Sequence, residues 1–173
     1  MQQAVYNGWL RKHGIKAESV HGPNGMCLHM WGPSSMRHND LWCLNESGVN
    51  TKFAAVQEHL PPENQKSMYG DGIYPIRSHL TSRHHNPVNL QQESENKAMN
   101  SCRESIEHDY GQGHELFPFL NYNANLKLAS GTPVAEIYFA KDLFRNLHVT
   151  LYSNVTGSRF KNVSTPTLEQ YLA

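Results

Sequence analysis

The stretch from Leu90 to Tyr110 sets Met99, Arg103, Ile106, Glu107 and Tyr110 at spacings of three and four. That period gathers them on one face of an α-helix. Gly111 and Gly113 follow, so the pattern predicts a helix over 90–110 that these glycines close. A second stretch, Val134 to Leu151, opens on Thr132-Pro133, and proline suits the first helical position. Its Ile137, Phe139, Ala140, Leu143, Phe144 and Leu147 predict a wide apolar face packed on a sheet.

Strand-like sequence lies upstream. Residues 5–31 alternate loosely about Gly22-Pro23-Asn24-Gly25, whose Pro-Asn-Gly suits a tight turn, and predict a β-hairpin. Asn39-Asp40 precedes Leu41, Leu44, Val49, Phe53 and Val56, so a helix over 40–57 is expected. Either Asn39 or Asp40 is a candidate cap, and Pro61-Pro62 should stop the helix. Ser67 to Pro75 predicts a short buried strand ending on Gly70-Asp71-Gly72, and Thr165 to Leu172 a loop and short tail. The expectation is α/β, a mixed sheet with flanking helices, in one domain over 1–173, as the length of 173 residues suggests.

Fifteen Lys and Arg balance fifteen Asp and Glu, so with eleven neutral His the net charge is zero. A histone-like or tail-like nucleic-acid binder would carry a large basic excess. Eight Tyr, six Phe and three Trp supply core material, which argues against disorder. No window reaches the roughly 18 apolar residues of a membrane span, and no secretory leader is expected at Met1. Cys27, Cys43 and Cys102 are odd in number and widely spaced, as in a reduced intracellular protein, and read as small buried apolar residues. The Asn-x-Ser/Thr triplets at Asn45, Asn154 and Asn162 are then chance matches. His79, His84 and His85 follow Asp71, and His108 and His114 flank the end of the Glu107 helix; none has zinc-site spacing, so loop and surface histidines are expected.

A carboxylate at a strand end and another on a later helix form a pair that two-metal phosphoryl-transfer enzymes use. Mg²⁺ favours oxygen ligands and needs only one or two carboxylates per ion. Two ions about 4 Å apart activate a water and stabilise the leaving oxygen of a phosphodiester. Asp71 and Glu107 are the candidates. On composition alone the pair is weak evidence, because an Asp in a Gly-x-Gly turn is more often plain turn chemistry.

The ordered motifs add a resemblance. Tyr6-Asn7-Gly8-Trp9-Leu10-Arg11-Lys12-His13 and Pro23-Asn24-Gly25 lead to Gly32-Pro33, Arg37-His38-Asn39-Asp40, Leu44 and Ser47. Gly70-Asp71-Gly72-Ile73-Tyr74-Pro75 comes next, then Asn100, Arg103, Ile106-Glu107 and Tyr110-Gly111. Asn125-Leu126-Lys127, Pro133-Val134, Asn146-Leu147-His148 and Pro166 through Leu172 complete the series. In this order the chain resembles the PIF/Harbinger transposases, whose nuclease domain belongs to the DDE superfamily.

The resemblance implies an RNase H-like fold with acidic residues holding Mg²⁺ or Mn²⁺. Asp71 is similar to the family's acid at a strand end, and Glu107 to its helical Glu. Asp40 falls in a family motif as a further metal-site acid or as the cap of its helix. Arg103, one turn before Glu107, is implied as a phosphate or carboxylate clamp or as the partner that orients Glu107. The family's first metal-binding Asp lies upstream of the Tyr-Asn-Gly segment, and Gln2, Gln3, Ala4 and Val5 carry no carboxylate. An N-terminally truncated copy is therefore expected, its first strand missing, inactive as it stands and marginally stable as a monomer. The implied setting is the nucleus, with DNA as substrate, a Myb-like DNA-binding protein as partner and a homodimer as a candidate assembly; without the resemblance a cytoplasmic location is expected. The competing reading is a non-catalytic, transposase-derived DNA-binding or protein-interaction module.

Overall fold

The computed structural model describes residues 5–121, 131–160 and 163–173. Two compact units divide the chain: Met1–Glu18 with Trp31–Cys102, and Ser19–Met30 with Arg103–Ala173. Among the described residues the architecture is mixed α/β, with three two-stranded sheets and six α-helices. The expected hairpin is present as β3 (Ile15–His21) paired with β4 (Cys27–Ser35), after the short strands β1 (Tyr6–Asn7) and β2 (Lys12–His13). Gly22 N–H donates to Met26 O at 2.9 Å across the turn, where Gly25 adopts φ 78°.

In the first unit the single helix expected over 40–57 is two, α1 (Asp40–Ser47) and α2 (Val49–Gln57). Gly48 divides them: at φ 62° its N–H donates to Asn45 O, a left-handed C-cap that ends α1. Asn39, rather than Asp40, caps α1 by accepting from Trp42 N–H at 2.8 Å. The end of α2 comes before the prolines. Gln57 accepts from Lys66 N–H at 2.5 Å and donates to Lys66 O at 3.1 Å, while Pro62 opens a short 3-10 turn, Pro62–Asn64. The strand expected before Asp71 shrinks to two residues, β5 (Met68–Tyr69), parallel to β6 (Leu80–Thr81). Cys43, Leu44, Val49, Met68 and Leu80 form the buried core.

Helix α3 (Leu90–Leu116) does not stop at Gly111 or Gly113. A glycine inside a helix costs only about 1 kcal/mol, which neighbouring turns offset. At Gly113 the bare backbone also admits the Lys141 side chain, whose Cδ would lie 3.2 Å from a Cβ there.

The second unit adds α4 (Val134–Tyr152), α5 (Val155–Arg159) and α6 (Leu168–Leu172). A loop was the expectation for the last; instead Thr167 and Gln170 form a reciprocal capping box that starts a helix. The orientation of α4 also differs from the apolar face expected. Leu143 and Phe144 are exposed, while Lys141, Asp142, Arg145 and Asn146 are buried alongside Val134 and Val149. For Asn146 the reason is the strand it meets. Asn146 Oδ1 accepts from Cys27 N–H at 2.9 Å and Nδ2 donates to Cys27 O at 2.8 Å, so its amide satisfies two β4 backbone groups that an apolar side chain would leave unpaired, while Lys141 and Asp142 pair with each other at 2.8 Å.

Candidate functional site

Asp71 sits in the turn that follows β5. Gly70 N–H still donates to Thr81 O at 2.9 Å, extending the parallel pairing, and Tyr74 N–H then closes a turn onto Asp71 O at 2.9 Å. Asp71 Oδ1 accepts from Gly72 N–H at 2.6 Å, and the residue is exposed. Both glycines are used locally. A Cβ at Gly70 would run into the Tyr74 ring, and one at Gly72 would come 2.8 Å from Arg83 Nε and 3.2 Å from His85 Cε1. The pattern Gly-Asp-Gly thus lets Tyr74 fold back on one side of Asp71 and Arg83 and His85 close in on the other.

Tyr74 is the residue that sequence reasoning passed over. Burial pushes its phenol well above the usual tyrosine range, and the negative charges of Asp40, Glu18 and Asp71 add to the shift. Tyr74 therefore stays a neutral hydroxyl beside an acidic neighbourhood. Glu18, on β3, is a second overlooked acid: burial raises its pKa, Ser47 Oγ donating at 2.8 Å offsets part of that, and the Asp40 charge raises it further. Asp40 Oδ1 pairs with Lys16 Nζ at 2.8 Å. Asp40 and Asp71 thus lie in one unit and act on one phenol.

Glu107 and Arg103 belong to the second unit, on α3. Arg103 Nη2 lies 3.7 Å from Glu107 Oε1, an exposed i,i+4 pair of about 0.3–0.5 kcal/mol. Glu107 opens on a cleft of about 410 Å³ shared with His108, Glu115 and Thr156.

Of the histidines expected on loops and surface, His84 and His85 have defined partners, whereas His108 and His114 lie within α3. His84 Nε2 lies 2.9 Å from Glu95 Oε2, and His85 Nε2 lies 2.8 Å from Gly72 O. Cys27, Cys43 and Cys102 carry free thiols; Cys43 is buried, the other two partly so. Among the described residues no three His, Cys, Asp or Glu side chains gather as a metal site. The donors at Asp71, Asp40 and Glu107 are nonetheless hard carboxylate oxygens, the type Mg²⁺ and Mn²⁺ select, and one or two suffice when water and substrate complete the shell. Compared with protein-family models, curated proteins and solved structures, the chain matches none.

Proposed function

We propose that this chain is the metal-dependent nuclease part of a transposase-type protein, RNase H-like in descent, that hydrolyses or transfers DNA phosphodiesters when its metal site is complete. The observation that carries the reading is the exposed Asp71 carboxylate, held on a glycine-flanked turn at a strand end. Bound Mg²⁺ or Mn²⁺ would supply Lewis acidity at a phosphodiester oxygen. Within the first unit Asp71 would hold the metal and Asp40 would add a further carboxylate; for Glu107 as a metal-binding acid, and for Arg103 as its orienting partner or a phosphate clamp, the resemblance alone is the support. The neutral Tyr74 hydroxyl, kept protonated beside Asp71 and Asp40, is suited to donate a hydrogen bond to a carboxylate or to a phosphate oxygen. The resemblance further supports a nuclear setting with DNA, a Myb-like partner and a homodimer.

A chain extended by the family's upstream Asp-Gly strand tests the reading. It should cleave DNA ends only with Mg²⁺ or Mn²⁺, and both Asp71→Asn and Glu107→Gln should abolish cleavage. No metal-dependent cleavage of any DNA end would sink it. A non-catalytic binding module is the second reading, favoured by the Arg103–Glu107 pair, which gives Glu107 a structural partner already.

A further inference from the structure

The residue after Asp71 begins one wall of a cleft of about 610 Å³, a volume in the range of small-ligand sites. That wall runs from Gly72 to Arg77, and Ser82 to Asn86 contribute a second stretch of the lining. Arg77 and Arg83 bring two guanidinium groups to it, and no carboxylate is among the described lining residues. Both arginines are exposed, and among the described residues neither side chain is in an ion pair.

The walls are tied in place. Asn96 on α3 accepts from His84 N–H at 2.8 Å and donates to His84 O at 2.9 Å, while His84 holds Glu95 and His85 holds Gly72 O. The lining around the arginines is mixed, with polar side chains such as Asn86 and Gln92, and it includes three exposed aliphatic ones: Ile73 is 48% exposed, Ile76 65% and Val88 82%.

Cations alone would serve any small anion. Cations beside exposed aliphatic side chains and amide and imidazole groups suit a ligand that carries a phosphate, a flat apolar face and polar edges together, as a nucleotide does. In a duplex the base faces are stacked away, so the ligand must be unpaired. We propose that this cleft holds an unpaired nucleotide of single-stranded DNA, its phosphate on Arg77 and Arg83 and its base against Ile73, Ile76 and Val88. The choice of DNA rests on the reading of Asp71 given above; the charge and the exposed aliphatic side chains stand without it.

The test is fluorescence anisotropy of a labelled single-stranded DNA oligonucleotide with the whole chain, at low salt and without divalent metal. Binding should weaken with salt. The double variant Arg77→Gln/Arg83→Gln should lose at least about tenfold in affinity and lower the salt slope by roughly 1.4, the value for two phosphate contacts on a single strand. Ile76→Ser should weaken binding and leave the slope unchanged, and a duplex of equal length should bind less tightly. A double variant that binds like the wild type, or a duplex that binds more tightly, overturns the proposal. Arginine labelling by phenylglyoxal on the wild-type chain gives a check that needs no variant to fold: the oligonucleotide should protect Arg77 and Arg83, and equal labelling with and without it overturns the proposal. A parallel Mn²⁺ titration separates the two claims. Mn²⁺ binding with no strand binding defeats the cleft alone, and strand binding without Mn²⁺ binding defeats the nuclease reading alone.

Discussion

Asn146 on α4 pairs with Cys27 on β4 as a neighbouring strand would, its amide accepting from the Cys27 N–H at 2.9 Å and donating to the Cys27 O at 2.8 Å. A second donation, to the Tyr171 hydroxyl at 3.2 Å, brings α6 to the same side chain. Asn146→Leu would leave both Cys27 backbone groups unpaired, at about 1–3 kcal/mol each. Urea denaturation should show that loss, and Asn146→Asp, which keeps the acceptor but not the donor, should fall between the two.

Lys141 and Asp142 form a second buried relationship, 2.8 Å apart with side chains 4% and 6% exposed. The Lys141 ammonium also lies 5.7 Å from the Tyr110 ring centre and 5.5 Å from that of Tyr138. Asp142→Ala leaves Lys141 and the fully buried Arg145 without that negative charge, a loss of about 3–5 kcal/mol. The pair replacement Lys141→Met/Asp142→Leu keeps the net buried charge unchanged and should be less damaging than Asp142→Ala alone. A double-mutant cycle read by thermal unfolding measures the difference.

His21 makes the second unit sensitive to acid. Burial lowers its pKa from 6.5 to about 4, and the positive Arg145 and Lys141 push it the same way. Above pH 6.5 both folded and unfolded chains hold the imidazole neutral. Between 6.5 and about 4 the unfolded chain takes a proton that the folded one refuses, so stability falls by about 3 kcal/mol as pH drops through that window. Unfolding free energies measured from pH 7 to pH 4 should show the slope, and His21→Gln should flatten it.

Gly25 is predicted to tolerate no side chain. Its φ of 78° disfavours other residues by about 1–2 kcal/mol, and a Cβ would run into the Asn154 side chain. Asn154 caps α5 by accepting from Gly157 N–H at 3.0 Å, so Gly25→Ala should also release that cap, worth about 1 kcal/mol. Thermal melts of Gly25→Ala, Asn154→Ala and the double variant should be non-additive, because both single changes remove the same cap.

The sequence was read best where period alone decides. Ends of α4 were legible to within a residue, since Thr132-Pro133 and the three-and-four spacing both mark them. Which face of α4 turns inward was not, because Asn146 and Lys141 are buried by what they meet on β4 and α3 rather than by their own polarity. Gly48 falls inside the span 40–57 expected as one helix, and its left-handed backbone makes it a helix boundary. Five-residue α6 is too short to show a period, although Thr167 and Gln170 carried the capping signal. At the candidate site, the turn that carries Asp71 was legible from its glycines. Tyr74 and Glu18 were not, because their part depends on which acids the fold brings near a buried phenol.

Mn²⁺ titration of the whole chain, followed by the loss of the free-ion paramagnetic resonance signal, tests the central claim most directly. The account predicts that the wild-type chain takes up Mn²⁺, that Mg²⁺ competes for the same place, and that Asp71→Asn abolishes uptake while the fold is retained. Uptake unchanged in Asp71→Asn, or none by the wild-type chain, would contradict it.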